Sequence, residues 1–295
     1  MPATRALPYH SLVENIDQQP GLSRRAYFAG SFYPGDPVEL SEQVKHLLAD
    51  NRTKIDSEIV GLVAPHAGYM YSGGCAAAAF SALKGKRYDT VVVIAPSHQA
   101  FFHNVAVFRG GAYQTPLGVV YTDLELARKI ANTHPKIVFA NEGHFGGGRP
   151  EHSLEVQLPF LQMTLGDFKL VPLVMGSQEH DIIVALGEVL GAMLENRRAL
   201  IVASTDLSHY HDADTAARLD QGISSAVEKF DWRLLYDKVA SGQSEACGAG
   251  PVMSCIYAAK RLGAKQAQII KYAHSGEVSG DNREVVGYLS AAFTK

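Results

Sequence analysis

Residues 59–69 read I-V-G-L-V-A-P-H-A-G-Y, a short β-branched run that ends in Ala64-Pro65-His66 and drops at once into a glycine turn. A run of this kind is the mark of a buried strand, and the Ala-Pro pair sets an extended exit, so His66 stands where the strand stops. About thirty residues on, the spacing of a loop plus a helix in a βαβ unit, residues 90–98 read T-V-V-V-I-A-P-S-H. Two strands thus end in Ala-Pro followed by a histidine. In one parallel sheet their C-terminal ends lie side by side, the usual place for a ligand site in an open α/β fold.

Outward from this pair, strand and helix alternate. Residues 168–175 and 199–203 repeat the buried-strand signature on either side of an amphipathic helix over 182–194. Asp36 is placed to cap a helix over 38–50 and Asp123 one running through 127–131. Alanine-rich 75–83 reads as a helix packed closely on the sheet. A short strand is expected over 104–108, helices over 213–229, 232–240 and about 252–262, and final strands over 268–272 and 284–293. Glycine-rich 143–150 is a loop over the site or a hinge. It leads into Glu151-His152-Ser153-Leu154, where Leu154, Leu158 and Leu161 share a helical face that puts Glu151 and His152 at a helix start. The reading is one α/β domain over 24–295, a central and largely parallel sheet flanked by helices, preceded by a Pro-dotted, aperiodic arm over 1–23.

Composition narrows the function. The 295 residues are 46% hydrophobic and 19% charged, the profile of a globular protein with ample core. A formal net charge of -3 supplies no basic face for nucleic acid or an anionic membrane, which favours a small-molecule or peptide ligand. Cys75, Cys247 and Cys255 are few, odd in number and without C-x-x-C spacing, so neither a disulfide framework nor a zinc knuckle is expected, and a reducing compartment fits. The first residues lack the apolar segment of a signal peptide and no later run approaches membrane-spanning length, so the expected location is cytoplasmic.

Four groups carry the candidate chemistry. His66 and His98 converge at strand ends, where neutral imidazoles are the commonest metal ligands. Asp206 and His209 follow another strand in S-T-D-L-S-H, with an Asx-turn beside a surface histidine as the plain alternative. Glu151 and His152 open a helix, whose N-terminal dipole by itself accounts for a glutamate there. Cys247 stands just ahead of a helix, a position that stabilises a thiolate. The chain has no phosphate-binding G-x-x-x-x-G-K-[ST] loop, no G-x-G-x-x-G after the first strand, no H-E-x-x-H and no G-x-S-x-G. A Cys-His-Asp nucleophile set from Cys247, His209 and Asp206 stays open, while a single metal held by His66, His98 and one anionic ligand explains more of the residues.

A-P-H-A-G-Y at 64–69, A-P-S-H at 95–98, E-H-S-L-E-x-x-L-P at 151–159, S-T-D-x-S-H at 204–209 and C-G-x-x-P at 247–251 resemble, in this order, the Memo family. Its prokaryotic members are often labelled system protein B of a three-gene set with a radical-SAM protein, which implies functional association with such a partner. Its fold is similar to that of the class III extradiol dioxygenases, which hold non-haem iron by two histidines and a glutamate. The resemblance implies His66, His98 and Cys247 as metal ligands, Cys247 replacing the glutamate, with His152, Asp206 and His209 lining the pocket as acid/base or supporting groups. Thiolate is a soft ligand, so the expected cofactor is iron or copper, with zinc behind them. Metazoan Memo is also described as a phosphotyrosine-peptide binder, and its S-H-A-G-S-W-Y stretch is Y-F-A-G-S-F-Y here, with Phe28 and Phe32 in place of the histidine and tryptophan.

Overall fold

The computed structural model describes residues 22–145 and 150–295. The expected 1–23 arm therefore lies almost wholly outside the described residues, and Ser23–Arg24 forms a short strand, β1. Four runs legible in the sequence are the parallel centre of the main sheet: β2 (Ile59–Ala64), β9 (Ala199–Ser204), β3 (Thr90–Pro96) and β8 (Lys169–Met175), adjacent in that order. In β3 and β9 successive side chains go to opposite cores, and in β2 they do so on either side of Gly61, where the alternation slips. Val60, Val63, Val92, Ile94, Ile201 and Ala203 face one, while Leu62, Ala64, Val91, Val93, Leu200 and Val202 face the other. Both faces being covered, the strands read as continuous apolar runs rather than alternating ones.

One face is covered by α1 (Pro37–Asp50), α2 (Tyr69–Ser81) and α4 (Leu158–Leu165). The other is covered by α3 (Leu124–Ala131), α5 (His180–Met193), α6 (Ala213–Glu228), α7 (Trp232–Ala240) and α8 (Ala249–Arg261). The expected caps form: Asp36 accepts from the N–H groups of Val38 and Glu39, and Asp123 from that of Leu126. Helix α2 begins at Tyr69, earlier than the alanine run suggested. Its first turns, rich in glycine and aromatics, are poor helix formers in isolation, and burial of Tyr69, Ser72 and Gly73 overrides that preference.

Towards the margins the sheet becomes antiparallel. β12 (Val285–Thr294) runs against β2 and is flanked by β11 (Gln266–His274), while β4 (Val105–Val107) runs against β8 and pairs in parallel with β7 (Ile137–Phe139). β1 joins β5 (Ala112–Thr115) and β6 (Gly118–Tyr121) in a small separate sheet. The architecture is a single α/β domain with a mixed sheet that is parallel where the candidate residues emerge. No helix among the described residues is long and apolar enough to cross a membrane.

One crossing positions the site. At the end of β9 the Thr205 N–H donates to the Ala64 carbonyl at 3.0 Å. The chain thereby steps past the exit of β2 and pairs with β12 as an antiparallel strand, β10 (Asp206–His211). The Asx-turn alternative for Asp206 and His209 is thus replaced by a strand. Its register slips around Tyr210, which has a φ of +62°, so that His209 and His211 face partners one residue apart on β12.

Candidate metal centre

His66 leaves β2 almost fully buried, with its backbone N–H donated to the Asp206 Oδ1 at 2.7 Å. Its Nδ1 lies 2.9 Å from the Ser204 hydroxyl. That hydroxyl has one proton, which goes to the Ser153 carbonyl at 2.7 Å, and it also accepts from the Gln157 amide at 2.8 Å. The second proton of that amide goes to the Pro65 carbonyl at 3.0 Å, which fixes the amide orientation. The remaining contact requires His66 Nδ1 to carry hydrogen. Nε2 is therefore a bare lone pair, and it points at Cys247 Sγ, 3.2 Å away. Burial first, then the neighbouring rings of His152, His98 and His209, hold the His66 pKa well below its ordinary value, so the ring is neutral.

His98 reaches the same tautomer by a different partner. Its Nδ1 lies 2.9 Å from Glu151 Oε1, and its backbone N–H donates to Oε2 at 2.6 Å. Burial pushes the Glu151 pKa up, but hydrogen bonds from the His98 ring and backbone and the proximity of His152 outweigh it and bring it to about 2. An ionised carboxylate accepts only, so His98 Nδ1 is the donor and Nε2 is free to bind.

Cys247 arrives on the loop ahead of α8. Gln178, in the exit of β8, donates to its carbonyl at 2.7 Å and accepts the Gly250 N–H at 2.6 Å. The Gly248 N–H donates to Thr205 Oγ1 at 2.9 Å. The loop sits so close to the end of β9 that a Cβ at Gly248 would lie 2.1 Å from the Ser204 carbonyl oxygen. One ligand-capable atom from each of His66, His98 and Cys247 lies within 4.8 Å of the other two. The stabilised thiolate expected from the helix start is corrected: burial, then the Asp206 carboxyl, pushes the Cys247 thiol well above its ordinary pKa. A dipole of half a charge does not offset that desolvation, and a thiolate here needs a cation beside it.

The other expected pocket residues surround this trio. The His152 ring stacks on His98 with centroids 4.7 Å apart and meets His66 edge-on at 5.3 Å. Phe28 and Phe32 wall its other side, at 5.6 and 4.7 Å. Burial, opposed by Glu151, brings the His152 pKa to about 4. Asp206 presents Oδ2 3.8 Å from His66 Nε2, and burial pushes its carboxyl up to about 7 against the N–H groups of His66 and Ala67. Burial also lowers the His209 pKa, with a further push from His98.

Ser153, Gln157, Arg24 and Glu155 contribute without having been singled out from sequence, whereas Glu151 and His152 were expected at a helix start. Glu151 and His152 do not open a helix; they lie in an irregular segment ahead of a turn at 153–154 and a 3-10 segment (Glu155–Gln157), and the Glu151 carboxylate serves His98 rather than a helix dipole. The 151–157 segment laces strand ends together, Ser153 to Pro96 of β3 and to Ser204 of β9, and Gln157 to Pro65 after β2. Arg24 and Glu155 form a fully buried ion pair, and Glu155 also accepts from the N–H groups of Tyr27 and Phe28 and from the Tyr33 hydroxyl, which places Phe28 and Phe32 on His152. The available signal was the density of polar residues in E-H-S-L-E-V-Q beside apolar leucines, a pattern that demands buried partners.

Fold and site together define an α/β protein with an imidazole and thiol cluster at the C-terminal ends of parallel strands. The family described as Memo-like protein matches residues 24–292, and the chain belongs to it. It is 39% identical over 271 residues to a MEMO1 family protein of Methanosarcina mazei, covering 90% of this chain and 97% of that one. It is 40% identical over 280 residues to one of Pyrobaculum aerophilum, covering 92% and 98%. Among solved structures, an uncharacterized protein from Escherichia coli K12 aligns with a TM-score of 0.51 at 14% identity, covering 79% of this chain and 99% of that one, a likeness of fold.

Proposed function

We propose that this protein binds a single metal ion through His66 Nε2, His98 Nε2 and Cys247 Sγ, with iron or copper favoured over zinc, in a redox or metal-handling role. The observation that supports this most is the protonation pattern. Ser204 and Glu151 each hold hydrogen on the Nδ1 of one histidine, leaving two bare Nε2 atoms beside one sulfur. Two imidazoles and a thiolate suit a soft or borderline ion, and such an ion supplies the charge that a half-buried, desolvated Cys247 thiolate requires. Once bound, the ion would supply electron transfer and open coordination positions. Metal content after purification tests the reading. The wild-type protein should retain iron or copper in stoichiometric amount, and His66→Ala and Cys247→Ser should lose most of it; equal occupancy in all three would refute the proposal.

A second reading, ring-opening of a catechol by dioxygen at ferrous iron, is favoured by acid/base groups at the pocket, His152 with a pKa near 4 and Asp206 near 7. Anaerobic loading with ferrous iron followed by a panel of catechols under air should then yield ring-cleaved products, and no product across the panel would discard it.

A further inference from the structure

We infer that Glu151 is the positioning residue of the pocket, one carboxylate that sets the ring orientation and tautomer of His98 and holds the His152 backbone beside it. The inference rests on the proposed metal centre for its binding readout and on geometry alone for the rest. Four N–H groups donate to the carboxylate, and a second imidazole nitrogen approaches it. Oε2 takes the His98 backbone at 2.6 Å, and Oε1 faces the His98 ring at 2.9 Å, the His152 backbone at 2.9 Å, the Ser153 backbone at 3.0 Å and the His152 Nδ1 at 3.2 Å. Among the described residues no lysine or arginine bonds to either oxygen. Arg24 donates to the Glu151 backbone carbonyl instead and gives its charge to Glu155. The negative charge of Glu151 is thus directed at imidazoles, not at a structural ion pair.

This arrangement makes the histidines unequal. His66 is held by a neutral hydroxyl, His98 by a full negative charge, which raises the donor strength of its Nε2. His152 is tied to the same oxygen through its backbone N–H at 2.9 Å, with its ring Nδ1 3.2 Å from it. Glutamine cannot replace Glu151, because either orientation of its amide sets an NH2 group against N–H donors that point at that oxygen.

Cobalt(II) titration and imidazole nitrogen NMR test the role. In metal-free wild type, His66 and His98 should both show hydrogen on Nδ1. In Glu151→Gln the His98 and His152 ring signals should move while those of His66 stay. Cobalt(II) affinity should fall by about ten- to a hundred-fold with shifted visible bands, and Glu151→Asp should recover part of it. Near-UV circular dichroism verifies folding; should Glu151→Gln not fold, Glu151→Asp against wild type decides, with weaker cobalt binding and displaced His98 signals expected. A folded variant with wild-type affinity and unchanged His98 and His152 rings overturns the inference. If wild type takes up no cobalt(II), the metal reading loses its support, while the ring signals still decide the role of Glu151.

Discussion

Replacing Gly248 with alanine probes the tightest packing at the site. The new Cβ would stand 2.1 Å from the Ser204 carbonyl oxygen, 2.8 Å from Thr205 Cβ and 3.0 Å from Thr205 Cα. Ordinary contact begins at 3.4 Å, so the two backbones must separate by about 1.3 Å, 3.4 less 2.1. No flexible side chain can yield, because the obstructing oxygen belongs to the last residue of β9. At φ -111° and ψ 32° the glycine itself is in a conformation alanine tolerates, so the cost is steric. Overpacking of this kind costs about 1–3 kcal/mol, which for a domain of this size lowers Tm by roughly 2–10 °C. The loop that recoils carries Cys247, whose sulfur now lies 3.2 Å from His66 Nε2. Metal ligands tolerate about 0.2 Å of displacement, so cobalt(II) affinity should drop by about tenfold or more. Differential scanning calorimetry of the metal-free protein and cobalt(II) titration measure the two effects. A variant that melts within 1 °C of wild type (roughly, on the same scale) and binds cobalt(II) equally well would refute the packing argument.

Glu155→Gln removes the charge opposite fully buried Arg24; the loss should be about 3–5 kcal/mol, with hydrogen exchange at residues 27–33 rising as Phe28 and Phe32 lose their hold, and unchanged exchange there would count against the role given to Glu155. His144 is fully buried, donating from Nε2 to the Ala106 carbonyl and accepting the Tyr113 hydroxyl at Nδ1, and burial brings its pKa from 6.5 to about 3. Its folded pKa being depressed, the unfolded chain binds the extra proton between those values. The stability it contributes is complete above about pH 6.5 and is lost as pH falls toward 3, by up to about 1.4 kcal/mol per pH unit. Urea unfolding at a series of pH values should show a shallower acid dependence in His144→Gln than in wild type, and parallel curves would contradict the assignment.

The β-branched runs, their spacing and the histidines at their exits were enough to place the parallel strands, the layered α/β architecture and the convergence of His66 with His98, because strand period and βαβ connectivity are local rules. The caps at Asp36 and Asp123 were equally local. What the tertiary structure alone decided depends on partners far apart in the chain. Ser204 and Gln157 set the His66 tautomer, and Glu151 lies 53 positions from the histidine it orients. The step of β10 past the end of β2 turns Asp206 from a turn residue into a lid on the His66 backbone. Burial reverses the reading of Cys247, since a helix terminus favours its thiolate less than desolvation opposes it. Residues 59–69 thus determine that a histidine stands at a strand end, and the packing of distant segments determines which of its nitrogens is free to bind.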